Sequence, residues 1–432
     1  MFVRGISRLA ARSVQRNRLP GRAHRYFSTI LVERDTISVP ALHASFPFIW
    51  LRDSCQCPSC VHPSTRQKLH RSSDFARDVS PTPVSAEAVD GGLHIAWSSR
   101  LDSASTEHQS FYSADFLERH SSPSALFTFH RDVSPEPWVA SQFASRTTFP
   151  YTSLDHPETL LEVYKQLKSD GLVFFSGIPT EESSDEKCEL RKLATHLSVL
   201  RRTFYGETWD VRNIRNSKNI AYTNLDLGLH MDLLYFKEPP RYQILHALRN
   251  RVHGGQSLFA DALYAARRLQ SVSPEDFDIL ASTPVLFHYI NDGHHLHYSH
   301  PTFEVSRVSS QSVKRNGAEK STEITSINYS PPFQAPLPVG TPRAFYEALA
   351  KFEDLLNDPA ACVTRLLHEG DAVIFDNRRV LHGRAAFEEM DDGSEKEGGG
   401  GEEETSRWLK GCYLEEDPVL DRMRVLSEKI EK

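Results

Sequence analysis

The chain contains no apolar run as long as about 18 residues, so nothing in it reads as a membrane-spanning helix. It also lacks an excess of positive charge. Against 57 Asp and Glu it carries 50 Lys and Arg, a net charge of −7, which argues against a nucleic-acid surface. Cysteine is scarce: the six present, three of them within Cys55–Cys60, do not form the framework of a disulfide-stapled secreted domain. Residues 1–27 lack acid altogether. They hold seven Arg and no Asp, Glu or Lys, and the first acidic residue is Glu33. An Arg-rich, acid-free run with Ser and Ala has the composition of a mitochondrial presequence, so matrix targeting is expected, with Arg25-Tyr26-Phe27-Ser28 similar to a processing site.

What is present suits an aromatic-rich β protein with flanking helices: 24 Phe and 14 Tyr in 432 residues, a length with room for two domains. Residues 30–125 hold short alternating segments (ILVERDTISV, FPFIWLRD, GLHIAWSS) between Pro, Ser, Asp and Gly, which predicts a small all-β module. Within it lie Cys55, Cys57 and Cys60. Three thiols in six residues suit a structural Zn(II) site, which needs a fourth ligand; His62, His70 and His108 all qualify on chemistry. So small a module gains from a metal staple. Residues 126–150 read as a connector. From 151 to 432 a second domain is expected, with helices in HPETLLEVYKQLKSDG (Asp155 near the N-cap, Gly171 at the end), EKCELRKLATHLSVL, TPRAFYEALAKFEDLLND and the C-terminal LDRMRVLSEKIEK. Residues 391–405, DDGSEKEGGGGEEET, form an acidic Gly-rich insertion with too little apolar surface to fold.

Two H-x-D triplets occur. His130-Arg131-Asp132 sits in a Pro-rich stretch and is a weak candidate. His230-Met231-Asp232 precedes LLYF, a Pro-Pro turn and the strand-like YQILHAL. On an extended segment both side chains would face one way. With a distant second imidazole, His382 in AVIFDNRRVLHGRA, they make a set of two His and one carboxylate, which leaves three positions open on Fe(II). Tyr205, Trp209 and Tyr222 lie just ahead of this triplet and have the ring content of an aromatic cage for a quaternary ammonium; taken alone, core packing is the stronger reading. The five His of TPVLFHYINDGHHLHYSH read as exposed imidazoles on a hairpin with an Asn-Asp-Gly turn.

These motifs together resemble the 2-oxoglutarate/Fe(II) dioxygenases of the taurine-dioxygenase superfamily, and within it the gamma-butyrobetaine dioxygenases. FPFIWLRDSCQCPSC is similar to that family's N-terminal zinc module, AYTNLDLGLHMDLLYF to its proximal iron motif, FDNRRVLHGR to the distal one, and FYGETW to its substrate pocket. The resemblance implies a double-stranded β-helix (jelly roll), Fe(II) on His230, Asp232 and His382, and Zn(II) on Cys55, Cys57, Cys60 and His108. It implies 2-oxoglutarate anchored by Arg407 with Ser257 beside it, Arg384 being the second candidate because His382 and Arg407 stand unusually far apart. It further implies a trimethylammonium substrate held by Tyr205, Trp209, Asn219 and Tyr222, O2 as co-reactant, ascorbate as accessory reductant, a homodimer, and hydroxylation of gamma-butyrobetaine to L-carnitine, with hydroxylation of trimethyllysine or a related substrate as the alternative.

Overall fold

A computed structural model of the chain describes residues 29–75, 81–89, 91–97, 108–212, 223–307, 322–389 and 406–431. The expected presequence, the Gly/Glu insertion, Asn219 and Tyr222 lie outside them. The chain divides into two compact units, residues 1–132 and 133–432.

In the first unit β1 (Leu31–Val32), β2 (Thr36–Val39) and β3 (Ala44–Pro47) form one antiparallel sheet. After helix α1 (Phe48–Asp53), strands β4 (Pro81–Val89), β5 (Gly92–Trp97) and β6 (His108–Ser113) form another. Ile37, Val39 and Phe46 meet Leu93, Ile95, Trp97 and Tyr112 in a shared core. The unit is not all β. FIWLRD places Phe48 and Leu51 three apart, on the buried face of α1 rather than on a strand. Helices α2 (Ala114–Arg119) and α3 (Pro123–Phe129) follow, their first turns capped by the hydroxyls of Ser113 and Ser122.

The second unit starts inside the expected connector. Trp138, Phe143 and Phe149 are buried, and around them form α4 (Ala140–Phe143) and β7 (Thr148–Pro150). These apolar anchors are why the stretch is built into the domain rather than left as a link. Next come α5 (Pro157–Asp170), β8 (Leu172–Ser176), α6 (Glu189–Leu197), β9 (Leu200–Arg201) and β10 (Thr208–Arg212). Helix α5 starts as expected beside Asp155, with His156 as its N-cap and Pro157 in its first turn, and ends on Gly171 at φ 72°. Then follow β11 (Leu227–His230), β12 (Tyr242–Asn250), β13 (Val252–Gly254), β14 (Ser257–Asp261), α7 (Ala262–Val272) and α8 (Pro274–Ser282). Hairpins β15 (Pro284–Asn291) with β16 (His294–Pro301), and β17 (Phe303–Arg307) with β18 (Thr322–Ile327), precede α9 (Arg343–Leu356). The chain closes with β19 (Cys362–Arg365), β20 (Ala372–Asp376), β21 (Val380–Arg384), β22 (Phe387–Glu389), β23 (Arg407–Leu414) and α10 (Glu416–Ile430).

Two sheets carry this unit. The larger runs β10-β23-β12-β20-β8-β7 with β9 on β23, antiparallel except for β7 with β8; the smaller runs β11-β21-β14-β19. Phe174, Val373, Phe375 and Leu409 of the larger sheet pack against Phe259 and Val380 of the smaller. The alternate residues Ala372 and Ile374 of β20 turn the other way, into a second core with residues of α5, α6 and α10. Both faces of β20 are therefore covered, which explains the uninterrupted apolar run AVIF. The unit is a mixed α/β structure in which two β-sheets enclose a cavity.

Candidate active site and a cysteine-histidine cluster

On the smaller sheet His230 ends β11 and lies directly opposite His382 of β21, their ring centroids 4.2 Å apart. The alternation expected to bring Asp232 to the same side of a strand does not operate, because β11 stops at His230. Asp232 is delivered by a turn instead. Leu233, buried and not a glycine, takes φ 62° there, a left-handed conformation that costs on the order of 1–3 kcal/mol. The turn is pinned from outside: Asn377 accepts the Asp232 backbone N–H through Oδ1 at 2.8 Å, and its Nδ2 donates to the Asp232 carbonyl at 3.0 Å. The result is one cluster of donor atoms from His230, Asp232 and His382 within 4.8 Å of one another.

Its electrostatics suit a divalent cation. Asp232 Oδ1 stands 3.5 Å from His230 Nε2, and Oδ2 4.0 Å from His382 Nε2. Burial opposes the charge of Asp232, but the hydrogen bond to His230, the field of His382 and the Tyr413 hydroxyl hold its carboxyl well below the usual range. Burial pushes His382 down to about 3, so this imidazole stays neutral and able to ligate. His230 Nδ1 lies 2.9 Å from the Gly228 carbonyl, an acceptor that fixes the proton on Nδ1 and leaves Nε2 for a metal. Two imidazoles and a carboxylate, on one side of the cavity, fit Fe(II) with positions left open.

The cavity beside this cluster is lined by Tyr205, Trp209, Tyr235, Phe333, Arg384 and Arg407, among others. Ser257 of β14 faces Arg384 of β21 across the register. Arg407 opens β23 and is buried, its Nε without a hydrogen-bond partner and no acidic side chain paired with it among the described residues. Burial first, and Arg384 second, push it down to about 9. Such a cation awaits an anion of the ligand, and a carboxylate fits its planar fork. Arg384 is committed elsewhere: Nη2 donates to the Thr223 and Leu225 carbonyls, each at 2.7 Å. Tyr205 and Trp209 share the cavity with ring centroids 6.3 Å apart, while Asn219 and Tyr222 lie outside the described residues.

Sequence reasoning missed Tyr413, Asn377, Tyr235 and Phe333. Tyr413 donates its O–H to Asp232 Oδ2 at 2.8 Å. Counting in twos from Arg407 along β23 would have found it, since residues 407, 409, 411 and 413 share one face. Asn377 sits in a turn, where no periodicity points to it.

In the first unit Cys55, Cys57 and Cys60 converge on His108, their Sγ atoms 3.4, 3.8 and 3.6 Å from its Nε2. Around tetrahedral zinc, S and N ligand atoms stand roughly 3.6 Å apart, so the four residues fit Zn(II). Burial pushes the Cys60 thiol up to about 12 against the pull of Arg52, whose Nη1 lies 3.4 Å from that sulfur. Such thiols ionise when a cation arrives. The other two candidates are engaged locally: His62 Nδ1 accepts from Thr65 N–H at 3.2 Å, and His70 pairs with Asp53 at 3.2 Å. Among the described residues neither His130 nor the His295/His297 pair belongs to a set of three or more metal-binding side chains.

Comparison with known proteins gives the chain its relatives. The family described as taurine catabolism dioxygenase TauD, TfdA matches residues 131–413, and the gamma-butyrobetaine hydroxylase-like N-terminal family matches residues 40–118. Dioxygenase str8 of Strobilurus tenacellus is 45% identical over 406 residues, covering 94% of this chain and 90% of that protein. Gamma-butyrobetaine dioxygenase of Pseudomonas sp. (strain AK-1) is 29% identical, with 88% and 90% covered. Mitochondrial trimethyllysine dioxygenase of Rattus norvegicus is 27% identical, with 88% and 83% covered. The chain belongs to the TauD, TfdA family and is a 2-oxoglutarate- and Fe(II)-dependent dioxygenase.

Proposed function

We propose that the chain hydroxylates gamma-butyrobetaine to L-carnitine, with Fe(II) held by His230, Asp232 and His382 and 2-oxoglutarate anchored by Arg407. The observation that carries the reading is the aromatic wall beside the three-donor cluster, where Tyr205, Trp209 and Tyr235 line one cavity with His230 and Asp232. When bound, Fe(II) with 2-oxoglutarate supplies an oxidative decarboxylation: O2 is consumed, 2-oxoglutarate becomes succinate and CO2, and one oxygen atom enters a C–H bond of the substrate. The protein's own part is aim. Arg407 fixes the far carboxylate of 2-oxoglutarate, and the aromatic faces hold a trimethylammonium group, worth about 2 kcal/mol when desolvated. The two sheets are read as a double-stranded β-helix, and the Cys55, Cys57, Cys60 and His108 cluster as a structural Zn(II) site. Residues 1–27 are read as a matrix presequence, which a fluorescent fusion to those residues tests by its location.

A second reading is an uncharged apolar or aromatic substrate. Leu227, Leu233, Leu245, Leu409 and Phe333 line the same cavity, and Asp232 is the sole acid among its lining residues. Coupled turnover separates the two. Purified protein with Fe(II), 2-oxoglutarate and ascorbate is offered gamma-butyrobetaine, trimethyllysine or small uncharged aromatic compounds, with succinate and hydroxylated product both measured. Carnitine in step with succinate supports the first reading. Succinate coupled only to an aromatic product overturns it in favour of the second.

A further inference from the structure

The two oxygens of Asp232 have different company. Oδ1 faces His230, whereas Oδ2 accepts the Tyr413 hydroxyl at 2.8 Å. That phenol has little freedom. β23 lies between β10 and β12, Tyr413 is buried on it, and Trp209 stacks on its ring with centroids 4.2 Å apart and planes at 27°. Trp209 pairs with Gly411 across the β10–β23 register and lies over it. A Cβ at Gly411 would come within 2.6 Å of the indole, so only a glycine there lets the stack form. A wall of the substrate cavity is thus in contact with the side chain that holds the carboxylate of the donor cluster.

We propose that Tyr413 is a positioning residue for the metal centre. Its hydroxyl retains Oδ2, so that Asp232 offers a metal one oxygen, and the Trp209 stack keeps the phenol in place. This rests on reading His230, Asp232 and His382 as the metal ligands. A carboxylate free to bind through both oxygens would take one of the three positions that 2-oxoglutarate and O2 need. Tyr413→Phe removes the hydroxyl but leaves the ring and its stack.

The test is a Co(II) titration of full-length, zinc-loaded protein, followed by visible absorption, then by addition of 2-oxoglutarate. In Tyr413→Phe we expect an altered Co(II) absorption spectrum, as the freed Oδ2 joins Oδ1 on the metal and changes its coordination. Addition of 2-oxoglutarate should then change that spectrum only at higher concentration. The thermal stability of the Co(II)-free protein should barely move. Trp209→Leu, which leaves the hydroxyl and removes its support, should shift the spectrum in the same sense but less. An unchanged Co(II) spectrum in Tyr413→Phe, or a loss confined to metal-free stability, overturns the assignment. If the unmutated protein takes up no Co(II), the ligand reading itself fails, and this inference with it.

Discussion

At the scale of single residues, a buried cation with no paired acid favours the binding of an anion. Arg407 is buried with no acid beside it among the described residues, a condition that costs stability until an anion arrives. Arg407→Met should therefore leave the ligand-free protein at least as heat-stable as the unmutated one, and abolish the gain on adding 2-oxoglutarate. At a hundredfold excess over Kd that gain is about 2.7 kcal/mol, several degrees in a thermal-shift experiment. His246 provides the pH counterpart. It is fully buried on β12, and burial pushes it down to about 4. The unfolded chain then binds more protons between about pH 6.5 and pH 4, so the stability tied to neutral His246 is complete above pH 6.5 and lost as pH falls toward 4. Denaturant unfolding at pH 7 and pH 5 should show His246→Gln losing on the order of 2 kcal/mol less than the unmutated chain over that interval.

At the scale of elements, strand pairing does most of the work of building the site. Gly383 lies between His382 and Arg384, and a Cβ there would stand 2.8 Å from the Leu227 carbonyl oxygen, a backbone atom that cannot step aside. Gly383→Ala should open the β11–β21 pair, separate His230 from His382, and cost both iron binding and about 1–3 kcal/mol of stability, read by metal titration and denaturant unfolding. The long interval between His382 and Arg407 has a similarly local explanation. Glu389 pairs with Val252 and Arg407 with Asn250, so the two ends of the interval are held against positions two residues apart on neighbouring strands. Replacing residues 391–405 by a short Gly-Ser linker should leave 2-oxoglutarate turnover within about twofold of normal. Much of this was legible beforehand. The apolar run AVIF, the amphipathic α5 and α9, and the His230 and His382 motifs all announced themselves through pattern. The helix over FIWLRD did not, because six residues hold too little periodicity to tell it from a strand. Asp232 was found for a reason the structure replaces: alternation picked the residue, but a left-handed turn at Leu233 places it, and single-sequence patterns do not report such turns.

At the scale of the whole molecule the two units differ in how much core they own. Ten buried side chains make up the hydrophobic core cluster of the first unit among its described residues, whereas the second has three such clusters. A small core of that kind leans on a metal. Cys60→Ser should therefore bind zinc far more weakly, and limited proteolysis should cut residues 30–130 at protease concentrations that leave the second unit whole.

The donor cluster also spans the chain in time as well as in space. His230 and His382 are neighbours across one strand pair yet 152 positions apart in sequence, with β12, the His-rich hairpin and α9 all lying between them. Bringing such distant segments together is the slow part of building a β-rich fold. No half-made chain can offer the three donors at once. Metal uptake by this cluster then marks the end of folding, and during refolding from denaturant the Co(II) spectrum of its imidazole and carboxylate ligands, distinct from that of thiolate ligation at the Cys55–His108 cluster, should appear no faster than the last long-range strand pair closes.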